Sequence, residues 1–309
     1  MIRTIVIIDP HNWSGIGNKI SKALRLIYDR VWHIRPKHVS LDKVRKAYAH
    51  VDMILYIEPG DFPLKKIHEK VDDDLYPVLK GIQRPNVKLG ILWCGSICRV
   101  DNVVMAGHIT AQRGEFFKER RRILNSLVSV RMVATECLMN TGRVKWLGQP
   151  YDFPSELPDK PLEHKIIHTP TNPINTDIYK GTNKIQKAFN EIDNTEIIKY
   201  GTDNNIVLNK LEQSTIYVMT MTDFDSGLGY GGIEAISRGC LVLSKKPKSI
   251  IQTPIIDVRD EEDLIRTIEE YKEDREKYDR DRALQFNWAR KKLSYRAVGR
   301  RFKQIVNKS

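Results

Sequence analysis

The sequence predicts an α/β protein built from two doubly wound, Rossmann-like domains in tandem, and three observations predict it. Short β-branched runs alternate with amphipathic segments almost from end to end. The alternation stops once, at a proline-rich stretch near the middle, and then starts again. The length of 309 residues also fits two domains of about 150 residues better than one.

In chain order, "TIVIID" (4–9), "DMILYIE" (52–58), "VKLGILWC" (87–94) and "VRMVAT" (130–135) read as strands. They are apolar on both faces, as strands of a parallel sheet covered by helices must be. "NKISKALRLIYDRV" (18–31) and "GEFFKERRRILNSLV" (114–128) carry apolar residues at helical spacing. The linker is "GQPYDFPSELPDKPLEHK" (148–165), where four prolines and several acids erase any period. A second set of strands follows in "KIIHTP" (165–170), "TEIIKYG" (195–201), "STIYVMT" (214–220), "CLVLS" (240–244) and "PIIDV" (254–258), and the chain then reads as two or more helices. The expected domains are therefore 1–150, 151–280 and a basic helical segment over 281–309.

Composition narrows the function classes. No apolar run approaches the roughly 20 residues of a membrane span, and "TIVIID" is too short for a signal-peptide core. With 41% hydrophobic residues and a mean hydropathy of −0.43, the chain reads as a cytoplasmic protein. The four cysteines, Cys94, Cys98, Cys137 and Cys240, form no paired framework and read as reduced, packed thiols. The formal charge of +12 is uneven: residues 1–150 hold 25 Lys and Arg against 14 Asp and Glu, a net of +11. Residues 282–309 add nine bases and no acid. Such a bias points to a polyanion, either nucleic acid or an anionic membrane surface.

The densest chemistry lies in "DSGLGYGGIEAISRGCLVLS" (225–244), between a strand and a helix expected to begin near Gly231. Bare backbone at a helix N-terminus suits a diphosphate, which makes Gly229, Gly231 and Gly232 candidates. Glu234, read as a first-turn residue, is placed to accept hydrogen bonds from the paired hydroxyls of a ribose; the plainer account is an acid favoured there by the helix dipole. Upstream, in "HTPTNPINTDIYKGTNKIQKAF" (168–189), Lys180-Gly181-Thr182 opens a helix after a polar loop.

On these two motifs the sequence resembles the retaining nucleotide-sugar glycosyltransferases of GT-B fold, the large family 4 type. "LWCGSICRV" (92–100) is similar to the family's HGSDxR segment, and "VKWLGQPYD" (144–152) to the stretch that closes the first domain. The resemblance is strongest over 144–244 and implies a cleft between the domains and a C-terminal helix returning to the first. It also implies transfer of a hexose or pentose from a nucleoside-diphosphate sugar such as a UDP-sugar. Lys180 would meet the donor diphosphate, and Glu234 the ribose. Gly15 and Gly17, in "PHNWSGIGNKI" (10–20), would lie against the donor phosphates, with His11 and Arg99 on the acceptor side. The family's other glutamate is replaced by Ser226, leaving neighbouring Asp225 as the candidate catalytic acid beside Lys180. The resemblance also implies that no cofactor or metal is required if lysine and backbone donors carry the leaving-group charge.

Two other readings are weaker. "GIGNKI" lacks the third glycine of a dinucleotide fingerprint, where Ile20 stands. Asp223-Phe224-Asp225 and Asp72-Asp73-Asp74 match a metal-binding D-x-D but read as loop acids in a tandem doubly wound chain. His11, His108 and His168 fall near strand ends, where a satisfied or exposed histidine is the common fate. The expected partners are a nucleotide-sugar donor and a polyanionic acceptor, either hydroxymethylated DNA or an anionic lipid or glycan, with the protein at a membrane or on DNA. The alternative is a catalytically inactive nucleic-acid-binding or scaffold protein of the same fold.

Overall fold

The computed structural model describes residues 2–9, 15–35, 50–57, 87–94, 115–135 in part, 143–170, 177, 180–222, 227–245 and 251–309. The chain divides into two compact units, residues 1–150 with 295–309, and residues 151–294.

The first unit holds strands β1 (Thr4–Ile8), β2 (Arg30–Ile34), β3 (Met53–Ile57), β4 (Lys88–Trp93), β5 (Val130–Val133) and β6 (Lys145–Trp146). They form one parallel sheet in the order β2-β1-β3-β4-β5-β6. All five residues of β1 and of β3 are buried, which is why both read as continuous apolar runs. Helix α1 (Ile16–Arg25) follows β1, and α7 (Tyr295–Asn307) packs beside it. Described residues between 115 and 126 are helical, as the periodicity requires.

One strand escapes the sequence reading. The helix expected over 18–31 ends at Arg25, and β2 begins at Arg30. As the edge strand β2 leaves Arg30 and Trp32 exposed and buries Val31, so "RVWHI" lacks the apolar run that marks its neighbours.

The second unit holds β7 (Ile166–His168), α2 (Thr182–Phe189), β8 (Thr195–Ile197), α3 (Asn204–Gln213), β9 (Ile216–Val218), α4 (Tyr230–Ser237), β10 (Leu241–Ser244), β11 (Ile256–Asp257), α5 (Glu261–Glu273) and α6 (Arg275–Leu293). Its parallel sheet runs β11-β10-β9-β7-β8. Ile166, Ile216, Val218, Leu241 and Leu243 meet Leu264, Ile268 and Tyr278 in its core. α6 is tied to the sheet by Gln285, fully buried, whose Oε1 accepts from Val242 N at 2.8 Å and whose Nε2 donates to Val242 O at 2.9 Å.

The basic C-terminal segment is not one helix from 281. It breaks at Ser294, which is extended at φ −59° and ψ 152°, so α6 stays in the second unit and α7 alone joins the first. Both points where the chain changes unit are held together: Tyr151 N donates to Leu293 O at 2.8 Å, and Tyr151 bridges Ser294. Among the described residues no helix is long and apolar enough to cross a membrane.

Candidate functional site

The sheet of the second unit reverses its winding between β7 and β9: the chain goes from β7 outward to β8, then returns through β9 toward β10 and β11. Open parallel sheets bind ligands beyond the carboxyl ends of their strands at such a point. Three segments of this chain converge there.

The first contact is between β7 and α2. His168 is fully buried, and its Nδ1 lies 2.8 Å from Val218 O. A carbonyl only accepts, so Nδ1 carries the proton and Nε2 accepts from the Thr182 hydroxyl at 3.0 Å. Burial drives the ring's pKa down to about 3, with the nearby Lys180 charge acting in the same direction and the Val218 bond opposing it. His168 is thus a satisfied, neutral histidine that fastens the first residue of α2 to the sheet.

The second contact holds Lys180. Met221 N, just past β9, donates to Lys180 O at 2.8 Å. Gly181 caps α2 at φ 64°, and a Cβ there would lie 2.9 Å from both the carbonyl carbon and oxygen of Met221. Only glycine tolerates that conformation and that approach. Lys180 itself is half-buried, and burial lowers its ammonium to about 8, no carboxylate among the described residues offsetting the loss of water. A desolvated lysine without an acid is a receptor for an anion.

The third segment is α4. The structure starts this helix at Tyr230, so Glu234 sits in the second turn rather than the first, and the dipole does not explain it. Gly231 and Gly232 leave no room for a side chain. A Cβ on Gly231 would lie 2.8 Å from Tyr217 Oη, and one on Gly232 would lie 2.6 Å from Leu228 Cδ1 and 2.7 Å from Met219 Sδ. Gly229, the N-cap of α4, is different: nothing lies within 4 Å of its Cβ position and no side chain caps the helix.

Beside them the ends of β7 and β8, β9, α3 and α4 wall a cavity of about 350 Å³, with Thr169, Tyr200, Gly201, Tyr217, Gly231 and Glu234 in its lining; Lys180 and Gly229 are not part of that lining. Thr169 Oγ1 and Tyr217 Oη are 2.5 Å apart, and burial pushes the Tyr217 phenol up to about 12, so it keeps its proton. Tyr200 is 52% exposed and offers a flat aromatic face. The sequence reading missed Thr169, Tyr200 and Tyr217; the first two follow strands and Tyr217 lies within β9, and only the register brings them to one place. A larger cavity of about 570 Å³, lined by Tyr151, Phe153 and Arg238 among others, holds none of the expected site residues, and its Arg238 is paired with Glu212 at 3.0 Å.

In the first unit Gly15 caps α1 at φ 65° with open space around it. Gly17 instead packs on a buried pair: a Cβ there would lie 2.1 Å from Asp9 Oδ2 and 2.5 Å from His33 Nε2, which are 3.4 Å from each other. His11, Arg99, Asp225 and Ser226 lie outside the described residues, as do His108, Cys98, Cys137 and both D-x-D segments. Among the described residues no cluster of three or more His, Cys, Asp or Glu could hold a metal. Cys240 is buried, its thiol donating to Leu211 O at 3.1 Å.

No family model and no curated protein matches the chain. Solved structures do. An alpha-glucosyltransferase in complex with UDP and a 13-mer DNA containing an HMU base is similar over 99% of both chains, at 11% identity and a TM-score of 0.62. The Anabaena protein Alr3699/HepE in complex with UDP-glucose is similar over 99% of this chain and 100% of its own, at 10% identity and a TM-score of 0.65. A UDP-glucosyltransferase from Polygonum tinctorium that glucosylates indoxyl is similar over 99% of each, at 7% identity and a TM-score of 0.50. Identities this low speak to fold, and the fold they share with this chain is GT-B, two parallel α/β sheets flanked by helices.

Proposed function

We propose that the chain is a glycosyltransferase that moves a sugar from a nucleoside-diphosphate sugar to an acceptor. The observation that carries this reading is Lys180: a lysine desolvated to a pKa of about 8, with no carboxylate among the described residues to offset that, held beside Gly181 and Thr182 near the carboxyl ends of β7 and β9. Its free charge suits the diphosphate leaving group, where charge builds as the glycosidic bond breaks. Gly229 N–H, at an uncapped helix start, faces the same task. Glu234 would accept from the ribose hydroxyls, with the base in the cavity beside Tyr200 and Tyr217. UDP or UDP-glucose in the similar structures favours a uridine donor.

The finer reading is family 4-type retaining transfer without a metal, lysine and backbone donors supplying the charge, with Asp225 beside the transferred sugar and Gly15, Gly17, His11 and Arg99 serving the first domain's side of the reaction. The acceptor is polyanionic, a hydroxymethylated DNA base or an anionic lipid or glycan, which would keep the protein on DNA or at a membrane face. The DNA bound to one similar structure and the net of +11 over residues 1–150 support the first of these.

A thermal-shift screen against UDP, GDP, ADP and CDP and their sugars tests the donor site. A nucleotide at about 100 times its Kd adds roughly 2.7 kcal/mol of apparent stability. Lys180→Ala and Glu234→Ala should each remove that gain. Ser226, in place of the usual glutamate, favours a second reading, a binding protein without transfer. It would show nucleotide binding but neither hydrolysis nor transfer from any sugar nucleotide.

A further inference from the structure

We infer that the paired helices α1 and α7 of the first unit form a binding face for the phosphate backbone of a nucleic-acid duplex. Close approach creates the face. Gly299 packs on α1, where a Cβ would lie 2.5 Å from Ala23 O, and the Tyr28 and Phe302 rings meet edge-on at 5.9 Å. Lys22 Nζ stands 5.8 Å from the centre of the Tyr295 ring, so the helices run side by side in the same direction.

On the outer surface α1 exposes Lys22 and Arg25, and α7 exposes Arg296, Arg300 and Lys303. Steps of four and three residues put the last three in one stripe. Neither helix contains an acid, and none of these five side chains is ion-paired among the described residues, Arg25 also donating to Val31 O at 3.3 Å. The contrast is with α5 and α6, where bases are cancelled by neighbouring acids in the pairs Arg266–Glu270, Lys272–Glu269, Arg275–Asp279 and Lys277–Glu270. Among the described residues the field of α1 and α7 is left uncompensated, and a duplex, with one negative charge per about 1.7 Å of axis, is its strongest complement.

A lipid surface fits less well. An interfacial helix needs an apolar face to sink below the headgroups. α7 has spent its own on the core, with Val298, Phe302 and Val306 at 0% exposure. Its exposed residues are Arg296, Arg300, Lys303, Gln304 and Asn307, and Leu26 and Trp32 are the exposed large apolar side chains of the unit among the described residues. As the acceptor of a transferase the duplex rests on the function proposed above, whereas the face itself is tested with no sugar donor present.

The experiment titrates the full chain into a fluorescently labelled, unmodified 20-bp duplex between 50 and 200 mM salt, with phosphatidylserine vesicles in parallel. Five phosphate contacts give a log–log salt slope of about −4.5, a loss of roughly 500-fold over that range. The triple variant Arg296→Gln, Arg300→Gln, Lys303→Gln should bring the slope to about −2. The control Lys272→Gln, Lys277→Gln, on paired bases, should leave it unchanged. Absent duplex binding, an unaltered slope in the triple variant, or binding to vesicles alone would each overturn the assignment. Failure of the donor reading would appear separately, as a missing nucleotide shift with duplex binding intact.

Discussion

The Thr182 hydroxyl donates to Nε2 of His168 across 3.0 Å, so the start of α2 is anchored by a ring that belongs to β7. Thr182→Val keeps the shape and removes the donor, leaving a buried nitrogen without its partner. The expected cost is about 1–3 kcal/mol, read as a lower Tm, together with weaker nucleotide binding as Lys180 loses its mooring.

The same histidine makes stability depend on pH. Its folded pKa of about 3 lies below the unfolded value of roughly 6.5, so the unfolded chain takes up the proton first. Stability is complete above pH 6.5 and declines as the pH falls toward 3. Urea unfolding at pH 7 and pH 5 should show that decline in the wild type and a smaller one in His168→Gln; the residue left in the variant belongs partly to His164, whose pKa burial also lowers.

On the proposed function Lys180 meets the donor diphosphate, and its titration sets how binding depends on pH. With the free lysine at about 8, an anion that restores its charge must recruit a proton as the pH passes that value. Nucleotide affinity should hold below pH 8 and fall above it, with proton uptake visible by calorimetry in two buffers of different ionisation enthalpy. Lys180→Met should abolish the pH dependence and lower kcat by about 2–4 kcal/mol in barrier terms.

Gly231 and Tyr217 should couple. Gly231→Ala drives a methyl to within 2.8 Å of Tyr217 Oη and should lower Tm by the equivalent of about 1–3 kcal/mol. Tyr217→Phe removes the colliding oxygen. The double variant should be more stable than the two single losses predict, a non-additivity that unfolding curves measure directly.

Glu234 is tested by the ligand. If it reads the ribose, Glu234→Gln weakens UDP and leaves 2′-deoxy-UDP nearly as it was, since the deoxy ligand already lacks one hydroxyl. Equal losses for both nucleotides would remove Glu234 from the ribose.

Strands buried on both faces, such as β1 and β3, were legible because a covered parallel sheet asks for short, continuous β-branched and apolar runs of this kind. β2 was not, since an exposed edge alternates polar and apolar residues and runs on from a helix without Gly or Pro between them. The break at Ser294 was hidden for the same reason: no helix breaker marks it, and packing of α7 on α1 decides it. At the site, the Lys180-Gly181-Thr182 turn could be read from local chemistry. Tyr200 and Tyr217 could not, because strand register rather than spacing brings them to Gly231 and Glu234.

The return of α7 to the first unit also orders the birth of the protein on the ribosome. Residues 151–294 form a contiguous unit whose core closes once Leu293 has emerged. Residues 1–150 appear earlier, yet they lack Phe302, packed on Tyr28, and Val306, whose carbonyl receives Lys88 at 2.8 Å. The half made first therefore matures last, with α1 waiting for the helix that covers it, and a chain halted before residue 295 would carry a finished second unit and an open first one.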